Sequence, residues 1–284
     1  MTSARSRRPG LAVMTKTGAA LLLSLLLVAC ASSRQTEGPN LARVSGWGWD
    51  IVSAGMFDVA VATSPRGTGD TLTVYLEGDG FAYVTSSQPA RDPTPRDPVA
   101  LRLALADPAA RAVAWIGRPC QYTQPDHGRN CRVGYWTLER YAPEVVDSIG
   151  VALDTVKQNA SARRLVLVGY SGGGAIAVLV AARRTDVAKI ITVAANLDGE
   201  YWTRQKGLST LTGSLDPANV AAEVAAIPQV HLMGGHDRVV GSDVTRAFLR
   251  RLPSDAPARW HEIPDFTHAC CWAEKWPEIV RSLQ

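Results

Sequence analysis

The residues best placed to do chemistry lie at Gly169-Tyr170-Ser171-Gly172-Gly173, between two apolar runs. A serine hydroxyl is a weak nucleophile until a base takes its proton, and the base in turn needs an acid to orient it. The G-x-S-x-G spacing suits that chemistry. Small neighbours let a strand turn sharply into a helix, with the central serine on a backbone conformation that side chains rarely adopt. The hydroxyl then sits at a helix N-terminus, where amides and the helix dipole favour a forming negative charge. A purely structural glycine-rich turn would show the same letters. The flanks argue against it, because Leu165-Val166-Leu167-Val168 reads as a buried strand and Ala175 to Ala182 as an apolar helix.

Five histidines could supply the base. His231 and His261 fall inside apolar strand patterns, where a packed structural role is the default. His127 lies in a polar loop, and His236 directly follows a glycine pair. His268, in Asp265-Phe266-Thr267-His268-Ala269, follows the last strand pattern, from where a loop can reach back over the sheet to a central serine. Its plainer reading is a surface loop residue. For the acid, Asp237 follows a strand and the glycine pair, while Val239 and Val240 can anchor its loop; Asp198, after the preceding strand, is the rival and could equally cap a helix. His231, His236 and Asp237 offer no convincing third metal ligand, so no metal is expected.

The elements that must position these groups follow from pattern. Strands are expected at 47–53, 57–63, 72–76, 112–116, 165–168, 190–194, 230–233 and 259–263. Helices are expected at 99–106, 141–159, 175–182, 220–226, 244–252 and 272–283. Residues 85–98 read as a surface loop and 196–218 as irregular. The alternation implies an α/β domain over residues 45–284, a mostly parallel sheet with an antiparallel start and helices on both faces. Ligands of such sheets bind at the strands' carboxyl ends, where Ser171, Asp237 and His268 all fall.

Taken together, the elbow at Ser171 and the chain order Ser171, Asp237, His268 resemble the α/β-hydrolase fold superfamily, in its serine esterase and lipase-like branch. The resemblance implies Ser171 as nucleophile, His268 as general base and acid, and Asp237 as its orienting partner. It places the oxyanion hole at the amide of Gly172 and at that of Asp79 or Gly80. It implies no cofactor and a small-molecule ester or related acyl substrate. A peptidase or amidase would use the same three residues, and a non-catalytic envelope protein could keep the fold as a binding module. Glu77-Gly78-Asp79-Gly80 departs from the His-Gly commonly found in that loop. A carboxylate aimed at a forming oxyanion would oppose catalysis, so both acids must point away or be paired, with Arg118 as a candidate partner. The stretch Glu200-Tyr201-Trp202 and the neighbourhood of Trp136 could shape an acyl pocket or simply fill the core. With only 35 residues between Ala194 and Val230, no large lid is expected.

The ends of the chain carry a different message. Residues 1–29 hold Arg5, Arg7, Arg8 and Lys16 and no acid, which accounts for the whole net charge of +4. The remainder is balanced, so nothing electrostatic argues for nucleic acid. The apolar run from Ala19 to Ala29 is too short to span a bilayer and has the charge order of an export signal, beginning at Met1 or at Met14. Leu27-Val28-Ala29-Cys30 resembles a bacterial lipobox. That implies a cleaved signal over 1–29, a lipid on Cys30, a tether over 30–44, and a membrane-anchored protein of the bacterial cell envelope, outer-membrane or periplasm-facing. An exported chain can oxidise its cysteines. A local Cys120–Cys131 bridge is favoured over cross-links to Cys270 and Cys271, which are left as thiols or a vicinal pair.

Overall fold

The computed structural model describes residues 34–65, 69–108, 112–123 and 128–283. The expected signal over 1–29, Cys30 and His127 lie outside them. Residues 34–44 are helical (α1) and belong to the same folded unit as the rest, so the expected tether is corrected over that stretch. The helix is held by packing as well as charge. Ala42 is fully buried, and a Cβ on Gly38 would stand only 2.8 Å from Trp49, in the aromatic group of Trp49, Trp115 and Tyr122. Arg34 pairs with Asp92, and Glu37 with Arg102.

Eight strands form one sheet: β1 (Gly48–Ala54), β2 (Phe57–Thr63), β3 (Thr71–Leu76), β4 (Val113–Ile116), β5 (Arg164–Tyr170), β6 (Val187–Val193), β7 (Gln229–Gly234) and β8 (Ala258–Ile263). Their order is β1-β2-β4-β3-β5-β6-β7-β8. β1 pairs antiparallel with β2 and β2 with β4; every other pairing is parallel, as the alternating pattern requires.

The helices cover both faces. On one lie α3 (Pro143–Asn159) and α4 (Gly172–Ala181), with Phe248 of α6 (Ser242–Leu249). α3 presents a stripe from Val145 to Val156, whereas α4 is buried on every side, which its all-apolar sequence permits. The other face carries α2 (Val99–Ala106) and α7 (Trp272–Ser282), joined by Ala42 of α1.

Three further expectations are corrected. Residues 199–206, read as irregular, form α5 (Gly199–Lys206), capped by Asp198 and ended by Gly207 in the left-handed conformation. Of residues 220–226, read as a helix, Val220 ends a short 3-10 helix (Pro217–Val220) and 221–226 form turns. His261 is exposed, as are its neighbours Arg259 and Trp260, because β8 is the edge strand of the sheet. The 85–98 stretch does run as a loop, but Ala90 and Thr94 are buried beneath it: Gln35 donates to Thr94 Oγ1 at 2.9 Å and Trp136 to the Ala90 carbonyl at 3.0 Å. No helix among the described residues is long and apolar enough to cross a membrane.

Candidate active site

The turn from β5 into α4 fixes Ser171 at φ 51°, ψ −121°. Backbone bonds hold it on three sides: its amide donates to Val193 at 2.9 Å, and its carbonyl accepts from Gly174 at 3.0 Å and from Asn196 at 3.3 Å. Glycine is required around it. A Cβ on Gly169 would meet the Gly173 carbonyl at 2.3 Å, and one on Gly173 would meet the Leu76 carbonyl at 2.1 Å.

The structure brings His268 and Asp237 to this serine from the loops after β8 and β7. His268 Nε2 lies 3.0 Å from Ser171 Oγ, and His268 Nδ1 lies 2.7 Å from Asp237 Oδ2. A carboxylate can only accept, so the ring proton sits on Nδ1 and leaves Nε2 free to accept from the hydroxyl. The other Asp237 oxygen accepts from the amides of Val239 at 2.8 Å and Val240 at 2.9 Å, so the anchoring expected of the two valines comes through their backbone. The carbonyl of His268 accepts from Tyr170 Oη at 3.1 Å and Trp272 Nε1 at 3.0 Å. Asp198, the rival acid, is buried as the α5 cap, where it accepts from the Tyr201 amide at 2.8 Å. His231 is enclosed between Thr192 and Gln229, and burial depresses its pKa to about 4; His236 is exposed.

On the opposite side of Ser171 the loop after β3 carries the two acids that break the usual pattern. Glu77 is buried and accepts from Trp115 Nε1, from the Gly78 amide and from Ala100 and Leu101 at the start of α2. Burial pushes its pKa up to about 7 in spite of these donors. Asp79 is ion-paired with Arg118 Nη1 at 3.0 Å and Arg140 Nη1 at 2.7 Å, and accepts from Tyr141 Oη at 3.2 Å. Burial alone would raise the Asp79 carboxyl; Arg140 and Arg118 more than offset it and hold it below its ordinary value. Asp79 Oδ1 lies 2.0 Å from where a Cβ on Gly172 would be, so the glycine makes room for the carboxylate. Gly80, with φ +70°, abuts the Pro93 carbonyl. The sequence suggested Arg118 and missed Arg140, which stands 61 residues from Asp79 and follows no strand.

A cavity of about 330 Å³ opens in front of Ser171 and His268, walled by Phe81, Arg96, Arg140, Asn196 and Trp202 among others. Trp202 therefore shapes it, whereas Trp136 packs in the core. Cys120 and Cys131 are bonded, as are Cys270 and Cys271 across a cis peptide, which removes the cross-linked alternative. Cys270, Cys271 and Glu274 bring potential metal-ligand atoms within 4.8 Å of one another, but the two sulfurs are engaged in that bond.

No family model matches the sequence, and no curated protein matches it. Solved structures do. An esterase from Pyrococcus furiosus superposes with a TM-score of 0.59 at 10% identity, covering 84% of this chain and 93% of that one. A lidless α/β serine hydrolase from Xanthomonas campestris gives 0.53 at 13%, covering 84% and 94%. A serine hydrolase homologue from Coxiella burnetii gives 0.57 at 16%, covering 84% and 97%. The chain has the α/β-hydrolase fold.

Proposed function

We propose that this protein is an exported, lipid-anchored serine hydrolase that cleaves a carboxylic ester through an acyl-enzyme. The observation that carries the reading is the continuous chain from Ser171 Oγ through His268 to Asp237, with links of 3.0 and 2.7 Å. Ser171 Oγ attacks the ester carbonyl as His268 Nε2 takes its proton, and Asp237 steadies the imidazolium. The tetrahedral oxyanion is received by the amide of Gly172, at the start of α4, together with that of Asp79 or Gly80. With Asp79 neutralised by two guanidinium groups, the departure from the usual loop does not place an unpaired anion at this point. His268 returns the proton to the leaving alcohol. Water then repeats the sequence on the acyl-enzyme, releasing the acid.

The ester assignment draws support from the esterase among the structural neighbours and from a chemistry that asks little beyond these parts. Export is supported by the charge order of residues 1–29 and by the Cys120–Cys131 bond, which suits an oxidising compartment. Stoichiometric labelling of the purified protein by a fluorophosphonate, lost in Ser171→Ala together with para-nitrophenyl ester turnover, is the expected result. A folded protein that neither labels nor turns over esters would leave the binding-module reading. Incorporation of labelled palmitate, absent in Cys30→Ser, tests the anchor.

A further inference from the structure

The cavity before Ser171 has an unusual charge inventory. Three acids line it, and each is already engaged. Glu77 accepts four N–H groups, Asp79 lies between Arg118 and Arg140, and Asp97 meets Arg102 Nε at 2.5 Å. The two arginines that line it are not fully used. Arg140 is 7% exposed, with Nε on the Thr137 carbonyl at 2.6 Å and Nη1 on Asp79 at 2.7 Å; its Nη2 has no partner among the described residues. The Trp202 ring centre stands 5.9 Å from its Cζ. Arg96 forms no ion pair among the described residues, and its Cζ lies 4.1 Å from the centre of the Phe81 ring. Independently, Asn196, 2% exposed and on the same wall, has an enclosed Oδ1 with no hydrogen-bond partner.

Arg140 is nearly buried, but its Nη2 is not enclosed, so a fixed guanidinium presents a spare donor at the cavity wall, a place for an acceptor. A planar anion suits it best, because arginine bonds carboxylates through fixed, parallel N–H groups. We propose that this cavity selects esters that also carry a carboxylate, held by Arg140 Nη2 and Arg96, while Asn196 Oδ1, which can only accept, calls for a hydroxyl or N–H group beside it. Phe81 and Trp202 set their rings against the two guanidinium groups, and because Asp79 offsets only one of the two charges of Arg118 and Arg140, while Arg96 has no ion pair among the described residues, the wall keeps an excess of positive charge. The proposal rests on the ester-hydrolase reading and adds to it a class of substrate.

The test compares kcat/KM within two matched pairs. On the acyl side, mono(para-nitrophenyl) adipate is set against para-nitrophenyl hexanoate; on the alcohol side, para-acetoxybenzoate against its methyl ester. The wild-type protein is expected to prefer the anionic member of one pair by about tenfold at low salt. That ratio should fall several-fold or more in Arg96→Gln, a surface variant that leaves the buried charges in place, and should shrink with added sodium chloride. Preference for the neutral member in both pairs, or a ratio unmoved by Arg96→Gln, overturns the subsite while the hydrolase stands. If no ester is turned over and Ser171 does not take the fluorophosphonate, the hydrolase reading fails and the subsite falls with it.

Discussion

Ser171 stands between two loops that are fixed by opposite means. On one side Glu77 and Asp79 are buried acids, locked by two arginines, a tyrosine, an indole and three backbone amides. On the other, His268 rides an outer loop after an exposed edge strand, steadied by Asp237 and by two hydrogen bonds to its own carbonyl. In the proposed reaction the first arrangement suits a group that must not move as charge develops, and the second one that must pass a proton between two partners. Preorganisation is thus concentrated where the oxyanion would form.

The contrast can be broken from either side. The largest effect is expected from Asp237→Asn, which keeps the shape but favours the wrong imidazole tautomer; kcat should fall by about four orders of magnitude with thermal stability nearly unchanged. Arg118→Ala attacks the other side and should act first on the fold. Its guanidinium is nearly buried against Asp79, so denaturant unfolding should show a loss of roughly 3 kcal/mol or more, and a wild-type midpoint would refute the role given to the pair.

Next comes the pH response of Glu77. Its folded pKa, about 7, lies above the ordinary 4.5, so the folded protein binds the extra proton between those values. The Glu77 contribution is fully present below about pH 4.5 and is lost as the pH rises through 7, a span worth roughly 3 kcal/mol. The stability difference between wild type and Glu77→Gln, measured by melting, should therefore shrink or reverse from pH 4.5 to 8; a constant difference would show that Glu77 keeps one ionisation state. His231, held near 4, works in the opposite sense and gives stability that grows as the pH rises from 4 to 6.5. The smallest effect is expected from Tyr170→Phe, which removes one of two donors to the His268 carbonyl. About 1 kcal/mol, read as a several-fold drop in kcat/KM, would show that the base loop depends on distributed support.

Much of this arrangement was legible in the sequence, for identifiable reasons. The parallel strands are short apolar runs, and α3 carries a clear stripe, so the sheet and its covering helices could be placed. Ser171, His268 and Asp237 were legible because strand ends meet at one edge of such a sheet, whatever the distance along the chain. α5 was missed although its signals were present, a capping Asp198 and a terminating Gly207, because Glu200, Arg204 and Lys206 hide any apolar period. α1 was missed because its fixing contacts are a glycine against a tryptophan and two long-range ion pairs, none of which leaves a local pattern. Arg140 belongs to the same class: only the folded chain brings it to Asp79.

The position of α1 also sets a working radius. Because the fold already includes Arg34, only four peptide steps separate it from Cys30, at most about 14 Å of extended chain. A lipid on Cys30 would therefore keep this protein against the headgroups instead of letting it roam on a long leash. Its search for substrate would then follow the membrane surface, and molecules bound to or crowded at that surface would reach Ser171 far more often than those dispersed beyond it.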